Sequence, residues 1–283
     1  MSTAHHVFSL FAIASLGIVA ASVGCGSSGA SKADGGLPIF GSSGSFGSSG
    51  SGNPDGGSAD GAVPPPRCIA ATNQCVSTAC GAGTTTSISG TVYDPAGNDP
   101  LYGIVVYIPS TPPSPITLGA SCASCNSLYT GNPIAFAVTD AGGKFTIYGV
   151  PDGANIPLVV QVGKWRMQYK IPNVTACKDN DAAALLNTKL RLPSNHMVGD
   201  IPNIGISTGA ADSLECLLLR IGVEAGEYES GPAGPGRIHI FNTPGGSDTA
   251  TPSPSAPSGL WATQAELMPY DITLLTCEGQ ETR

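Results

Sequence analysis

Charge is scarce in this chain. Asp, Glu, Lys and Arg make up 11% of its 283 residues, less than half of the ~25% usual for a soluble domain. Only 12 Lys plus Arg stand against 20 Asp plus Glu, for a formal net charge of −8. There is no Lys/Arg run, so nucleic acid is excluded as a partner, and no polybasic segment is available to seek anionic lipid. Histidine is rare too: of four, His5 and His6 precede the first apolar run, leaving His196 and His239 downstream. Neither lies in a recognisable motif. A Gly-rich phosphate loop, HExxH, GxSxG and paired-carboxylate motifs are all missing. The sequence therefore assigns no catalytic residue, no metal and no cofactor. A (β/α)₈ barrel needs about 250 residues of alternating strand and helix, and the first half of the chain has no such alternation.

What is present begins with an uncharged apolar run, Val7 to Val23, ending in Gly24-Cys25. It is short, and broken by Ser and Gly, for a membrane span of roughly 20 residues; its length suits a signal-peptide core. Ser22-Val23-Gly24-Cys25 resembles a bacterial lipobox, although Ser stands where Leu is usual and no Lys or Arg precedes the run. The resemblance implies cleavage before Cys25, acylation of its thiol and a lipid anchor. Each buried CH₂ would contribute about 0.8 kcal/mol, and more than one chain is needed for firm attachment. Gly26 follows the Cys, which by the same resemblance favours the outer membrane. A plain secretory signal and a retained anchor are the alternatives. All three place the rest of the chain outside the cytoplasm.

Residues 26–66 read as a disordered Gly/Ser/Pro tether. The stretch Gly41 to Gly52 is almost wholly Gly and Ser and has nothing with which to build a core. A coil of that overall length spans about 35 Å on average. Pro64-Pro65-Pro66 marks its end. Nine Cys are present. Setting Cys25 aside as the lipid site leaves Cys68, Cys75, Cys80, Cys122, Cys125, Cys177, Cys216 and Cys277. In an oxidising compartment these are disulfide candidates, with 105 possible pairings. Cys122-Ala-Ser-Cys125 has the spacing of a zinc or redox motif but lacks a second such pair or a nearby His. Cys68, Cys75 and Cys80 are expected to form a small Cys-rich cap over 67–83.

From 84 to 178 the pattern is that of short strands separated by Gly/Pro turns, as in a β-sandwich. Ser87 to Tyr93 alternates with period two. Gly103 to Ile108 is a β-branched run. Ala135 to Thr139, Lys144 to Tyr148 and Ile156 to Val162 follow. Ile88-x-Gly90-x-Val92-x-Asp94, Pro100-Leu101-x-Gly103-Ile104-x-Val106, Val138-Thr139-Asp140-x-x-Gly143-x-Phe145 and Val150-Pro151-x-Gly153 together resemble the carboxypeptidase regulatory-like domain. That resemblance implies a seven-stranded, transthyretin-like, non-catalytic sandwich. It implies a hairpin turn made by Asp140 and Gly143, with Val138 and Phe145 pointing inward. An insertion, Ser110 to Pro133, departs from the family pattern. Trp165 is expected to cover the sandwich, with Lys164 and Arg166 in solvent. Lys178 to Asp181 reads as a solvated loop.

From 199 the period changes. Ile201 to Ser207 is strand-like. Asp212 to Ile221 puts Leu214, Leu217, Leu218 and Ile221 on one helical face, with Gly222 as its stop. Arg237 to Phe241 is a second strand, on which His239 points away from the core. A helix from Ser258 runs through Leu260, Trp261, Gln264 and Leu267, and Tyr270 to Leu275 reads as a buried parallel strand. Strand, helix, strand, helix, strand is the opening of an open α/β sheet. The pattern resembles the first part of a glutamine-amidotransferase-like, flavodoxin-type domain, and 199–283 is expected to be an incomplete segment of one. Cys277-Glu278-Gly279 falls where such sheets place ligands. A nucleophile needs a base in reach, so Cys277 is expected to be a disulfide partner, of Cys216 for example, or a buried thiol.

The expected fold is therefore mainly β, a sandwich followed by a partial α/β segment behind a tether. The expected function is a non-enzymatic, membrane-anchored envelope protein displaying the sandwich for structure, adhesion or binding, with a protein or a glycan as partner. Two alternatives remain: a fragment of an extracytoplasmic enzyme, and a carbohydrate-binding module using Trp165 or Trp261.

Overall fold

Twelve strands and four short helices arrange the described residues into three sheets. The computed structural model describes residues 67–77, 80–121, 129–243 and 252–277, all within the unit Gly61–Arg283. The signal run, Cys25, the tether, Cys122, Cys125, Glu278 and Gly279 lie outside the described residues.

The first sheet is built on β1 (Ser87–Tyr93). On one side it pairs antiparallel with β4 (Lys144–Tyr148). On the other it pairs parallel, first with β7 (Asp179–Asp181) and then with β8 (Leu190–Arg191). The one-turn helix α1 (Ala182–Leu186) joins β7 to β8, capped by the Asp181 carboxylate on the Ala183 and Ala184 N–H groups. The second sheet has the order β3-β2-β5-β6, all antiparallel: β3 (Pro133–Val138), β2 (Val105–Pro109), β5 (Gly153–Val162) and β6 (Trp165–Val174). Alternating side chains from both sheets meet between them. Ile88, Val92, Val106, Ile108, Ile147, Leu158, Val160 and Ile171 are essentially inaccessible to solvent there, each worth about 1.5–3 kcal/mol of burial. This is the mainly β sandwich that the patterning predicts.

Three local expectations are corrected. The turn at Asp140–Gly143 does not close a hairpin, because β3 and β4 belong to different sheets. The Asp140 carboxylate accepts the Gly142 and Lys144 N–H groups (2.8 and 2.9 Å). Gly143 sits at φ 72° against the Val92 carbonyl and Leu101 N, where a Cβ would come within 2.9 Å of each, so glycine is required. Crossing between sheets shifts the phase: Phe145 is buried as expected, but Val138 is 39% exposed and Thr139 turns inward in its place. The Thr139 hydroxyl donates to Leu101 O (2.6 Å) and accepts the Ile104 N–H (2.9 Å). Second, β6 is a ten-residue strand beyond the last one the sequence reading assigns. It folds back from β5 through a two-residue turn, with Gly163 at φ 54°, as hairpins with Gly at the first turn position do. Third, Lys178–Asp181 is not a solvated loop. Asn180 is buried, its amide donating to the Ser87, Thr175 and Lys178 carbonyls. Asp179 accepts from the Ser87 and Ser89 hydroxyls (2.6 and 2.5 Å). Burial would raise the Asp179 pKa, but these two bonds outweigh it and hold the carboxyl below its usual range.

The segment after β8 forms a parallel sheet of order β10-β11-β9-β12: β10 (Tyr228–Ser230), β11 (Ile238–Phe241), β9 (Ile204–Ser207) and β12 (Ile272–Leu274). Helix α2 (Glu215–Arg220) lies between β9 and β10. Among β9, β11 and β12 the spatial order is second, first, third, as in the opening of flavodoxin-like sheets. Leu218 is the buried residue of α2, while Leu217 turns out to be 45% exposed. The expected helix from Ser258 is two helices, α3 (Ser258–Trp261) and α4 (Gln264–Leu267). Thr263 restarts the second, its N–H bonded to the Glu266 carboxylate (2.7 Å) in a capping box. β12 is parallel as expected but not buried: Ile272 is 40% and nearby Leu275 64% exposed. It closes one side of the strand order, so only β9 flanks it among the described strands. The main core continues through Ile204, Ile206, Leu218, Val223, Tyr228, Ile238 and Ile240, while Phe241, Leu260 and Tyr270 form a second, smaller core.

Candidate functional site

Among the described residues, two disulfides close the sandwich end. Cys68 and Cys75 join across a short loop, and Cys80 links to Cys177, 97 residues away. The Cys68–Cys75 loop lies on the sandwich through Arg67 Nη1 to Ile134 O (2.7 Å), Gln74 Nε2 to Ala154 O (2.5 Å) and Ala70 N to Ser110 O (2.8 Å). Such bonds form in an oxidising compartment. Cys216 and Cys277 remain free thiols, and both are exposed. Cys277 is thus not the buried thiol expected, nor is it bonded to Cys216. Cys216 sits on α2, which carries the Glu215 carbonyl against the Tyr228 hydroxyl of β10 (3.1 Å). Cys277 follows β12, at the other end of the strand order.

The sandwich meets the parallel sheet at a cleft of about 470 Å³. Its floor is the turn between β5 and β6, and its walls are the insertion and the approach to β12. The Lys164 ammonium donates to Gly119 O and to Asp271 Oδ1, both at 2.5 Å, and Asp271 Oδ2 accepts the Asn203 N–H (2.7 Å). The two side chains are 13% and 4% exposed. One position on, Trp165 turns into the core and donates its indole N–H to Pro193 O (3.0 Å). Arg166 turns outward again, yet it too is covered: Nε pairs with Asp200 (2.8 Å) and Nη1 donates to Ser114 O (2.9 Å). The expectation for Trp165 thus holds, whereas Lys164 and Arg166 are not in solvent. Tyr107 and Gln161 on the same face are buried as well, with Ser114, Gly119 and Tyr129 of the insertion among the groups they and their neighbours meet. Burial, against the opposing pull of Arg166, pushes the Tyr107 pKa up to about 12. Tyr107, Gln161 and Arg166 are thus buried on the outward face while Gln168 and Lys170 stay exposed, a difference that a two-periodic pattern cannot show.

The chemistry of this junction is that of a clamp. Lys164 and Asp271 neutralise one another and are held by further hydrogen bonds. Trp165 is 9% exposed and Tyr270 4%, which leaves little ring face for stacking a sugar. Trp261, on α3, is 38% exposed.

At the carboxyl edge of the parallel sheet, hydroxyls bond to one another. Ser207 Oγ accepts the Thr276 N–H (3.1 Å) and lies 3.2 Å from Thr276 Oγ1. Thr208 donates to Asn242 Oδ1 (3.1 Å), and the Thr243 hydroxyl donates to Thr208 O. Asp212 accepts the Cys277 N–H (2.9 Å) and Ala211 N–H donates to Cys277 O (3.1 Å). A Cβ on Gly209 would lie 2.5 Å from Cys277 O, so the loop after β9 is packed shut onto the end of β12. Neither described His sits here. His196 pairs with buried Glu227 (2.7 Å). His239 faces away from the main core, as its alternation implies, but into the second core rather than toward water: it is 5% exposed. No group of three metal-ligating side chains occurs among the described residues, and no helix there is long and apolar enough to cross a membrane.

No protein-family model matches this chain, and no curated protein matches it in sequence. Among solved structures, one neighbour is a chain from the structure titled "Crystal structure of Coh3ScaB-XDoc_M1ScaA complex: A N-terminal interface mutant of type II Cohesin-X-Dockerin complex from Acetivibrio cellulolyticus". It is 16% identical, covers 49% of this chain and 85% of that one, and has a TM-score of 0.26.

Proposed function

We propose that this is a non-enzymatic protein of the cell envelope, lipid-anchored through Cys25, which holds a disulfide-closed β-sandwich and its fused α/β segment away from the membrane for structure or adhesion. The observation that carries the proposal is the Cys80–Cys177 bond, which ties the start of the folded part to the end of the sandwich across 97 residues. It calls for an oxidising compartment, which is where a lipobox-bearing leader would deliver the chain. Metabolic labelling with a clickable fatty acid tests the anchor: the native chain takes up label and Cys25→Ser does not. Equal labelling of both would refute it. The partner is a protein or a glycan; with Trp165 committed to the core, Trp261 is the ring on which a sugar would stack. A glycan array probed with the full chain and with Trp261→Ala decides: a blank array assigns the surface to a protein, and binding lost in Trp261→Ala assigns it to a glycan.

A second reading rests on the second-first-third order of β11, β9 and β12 and on the exposed Cys277 beside Asp212. In it, 199–283 begins an amidotransferase-like domain that acts on a small molecule. An activated thiol would alkylate with iodoacetamide well below pH 8, whereas an ordinary one follows a pKa near 8.5. The ordinary profile would exclude Cys277 as a nucleophile.

A further inference from the structure

We propose that the His239–Tyr270 contact is an acid-sensitive latch: protonation of His239 releases Tyr270, and with it the segment from α3 to β12, from the face of the parallel sheet.

The geometry fixes what the imidazole does when neutral. His239 Nε2 lies 3.2 Å from Gly236 O, and a carbonyl only accepts, so Nε2 carries the proton. Nδ1, 2.9 Å from Tyr270 Oη, is then the acceptor of the tyrosine O–H. The two rings meet edge to face with centroids 5.4 Å apart, and Tyr270 meets Phe241 in the same way at 6.1 Å. Leu260 of α3 completes this small core. The cover can approach the sheet because residue 205 is glycine: a Cβ there would lie 3.3 Å from the Tyr270 ring and would collide with Leu260. Tyr270 is thus the plug through which the cover is seated, with His239 as its only side-chain hydrogen-bond partner among those described.

A proton on Nδ1 turns that acceptor into a donor, and the bond reverses: the imidazolium N–H donates to Tyr270 Oη. The tyrosine O–H must then turn from the ring with no other side-chain acceptor among those described, and a cation is buried beside Phe241 and Leu260. Both are costly. Burial is the main reason His239 has a lowered pKa; the Gly236 carbonyl and Glu229 of β10 oppose it, and Arg237, just before β11, adds to it. The sign follows. An unfolded or released imidazole protonates near 6.5, and the seated one protonates lower. The latch is therefore at full strength above pH 6.5, and it weakens as pH falls from there toward the seated pKa. The cover has little secondary structure of its own: α3 and α4 have four residues each and β12 pairs only with β9 among the described strands; the Lys164–Asp271 pair and the Asp212–Cys277 bond hold its far end, so release centres on 252–270.

Hydrogen exchange on the full chain, read by mass spectrometry at pH 7.5 and 5.0 and corrected for intrinsic rates, tests this. In the native protein, protection of 252–277 should fall on acidification relative to 87–174, by at most about tenfold per pH unit, the limit for one proton. His239→Gln keeps a donor and an acceptor but does not titrate, so it should make 252–277 insensitive to pH. An equal response of both regions in the native protein would overturn the proposal, as would a native-like response in His239→Gln. Loss of the response in His196→Gln would move the sensor to the His196–Glu227 pair and overturn it too. Should His239→Gln fail to fold, an NMR titration of the native His239 ring decides: a ring still neutral while 252–277 opens refutes the latch.

Discussion

The sandwich and the parallel segment bury their cores with very different amounts of backbone. β5 and β6 run for 10 residues each and pair along nearly their whole length. The four parallel strands have three or four residues. The sandwich adds a long-range disulfide. The parallel half has two free, exposed thiols and leaves Ile272, Leu275 and Met268 substantially exposed. Parallel sheets are ordinarily covered on both faces, and here only the middle of the sheet is. The sandwich is held by its own long ladders and its disulfide, the parallel segment largely by what it docks against.

The largest expected effect comes from removing the long-range staple. Cys80→Ser with Cys177→Ser should lower stability by up to about 4.7 kcal/mol, the chain-entropy value for a loop near 100 residues; Cys68→Ser with Cys75→Ser should cost about 2.4 kcal/mol. Urea denaturation of the two double variants measures both, and equal costs would show that the long loop is already ordered without its bond. Next in size, Lys164→Met leaves the Asp271 carboxylate buried without its cation and should cost about 3 kcal/mol. Its exchange signature should appear in 252–277 rather than in 87–174. A loss spread evenly over both regions would mean that the clamp stabilises the sandwich as well. Thr263→Ala removes the residue that restarts helix α4 and should cost about 1 kcal/mol, again local to the cover. Smallest of all, Ile272→Ser on exposed β12 should stay within about 0.5 kcal/mol. A larger loss would show that β12 has a covering neighbour in solution.

Particular residues show where sequence reading reached and where it stopped. β1, β4 and Phe145 were legible because strict alternation and a turn of Asp and Gly leave few choices of face. Val138 was misread because the chain changes sheets at Thr139 and the alternation slips by one. β6 alternates as plainly as β1, through Trp165, Met167, Tyr169 and Ile171, and reading past the Gly163 turn would have found it. In the parallel segment β9, β11 and β12 were legible from their β-branched runs. β10 was not, since three residues next to a Gly/Pro loop carry no period. Lys164 and Arg166 were assigned to solvent because a charged residue on the outer face of a strand usually is; the insertion that covers them has no pattern of its own. Likewise the pairing partners Asp200 and Asp271 lie 34 and 107 positions away, and nothing local announces them.

By itself the sequence determined the class: cysteines suited to an oxidising compartment, and a mainly β fold followed by strands and helices in alternation. These follow from composition and short-range periodicity, which are properties of neighbours along the chain. The tertiary structure decided which cysteines are joined, that Lys164, Arg166 and His239 are buried, and that the carboxyl edge of the parallel sheet is closed. Each depends on a surface brought from a distance to cover a position, and burial of a polar group is a property of that cover rather than of the residue.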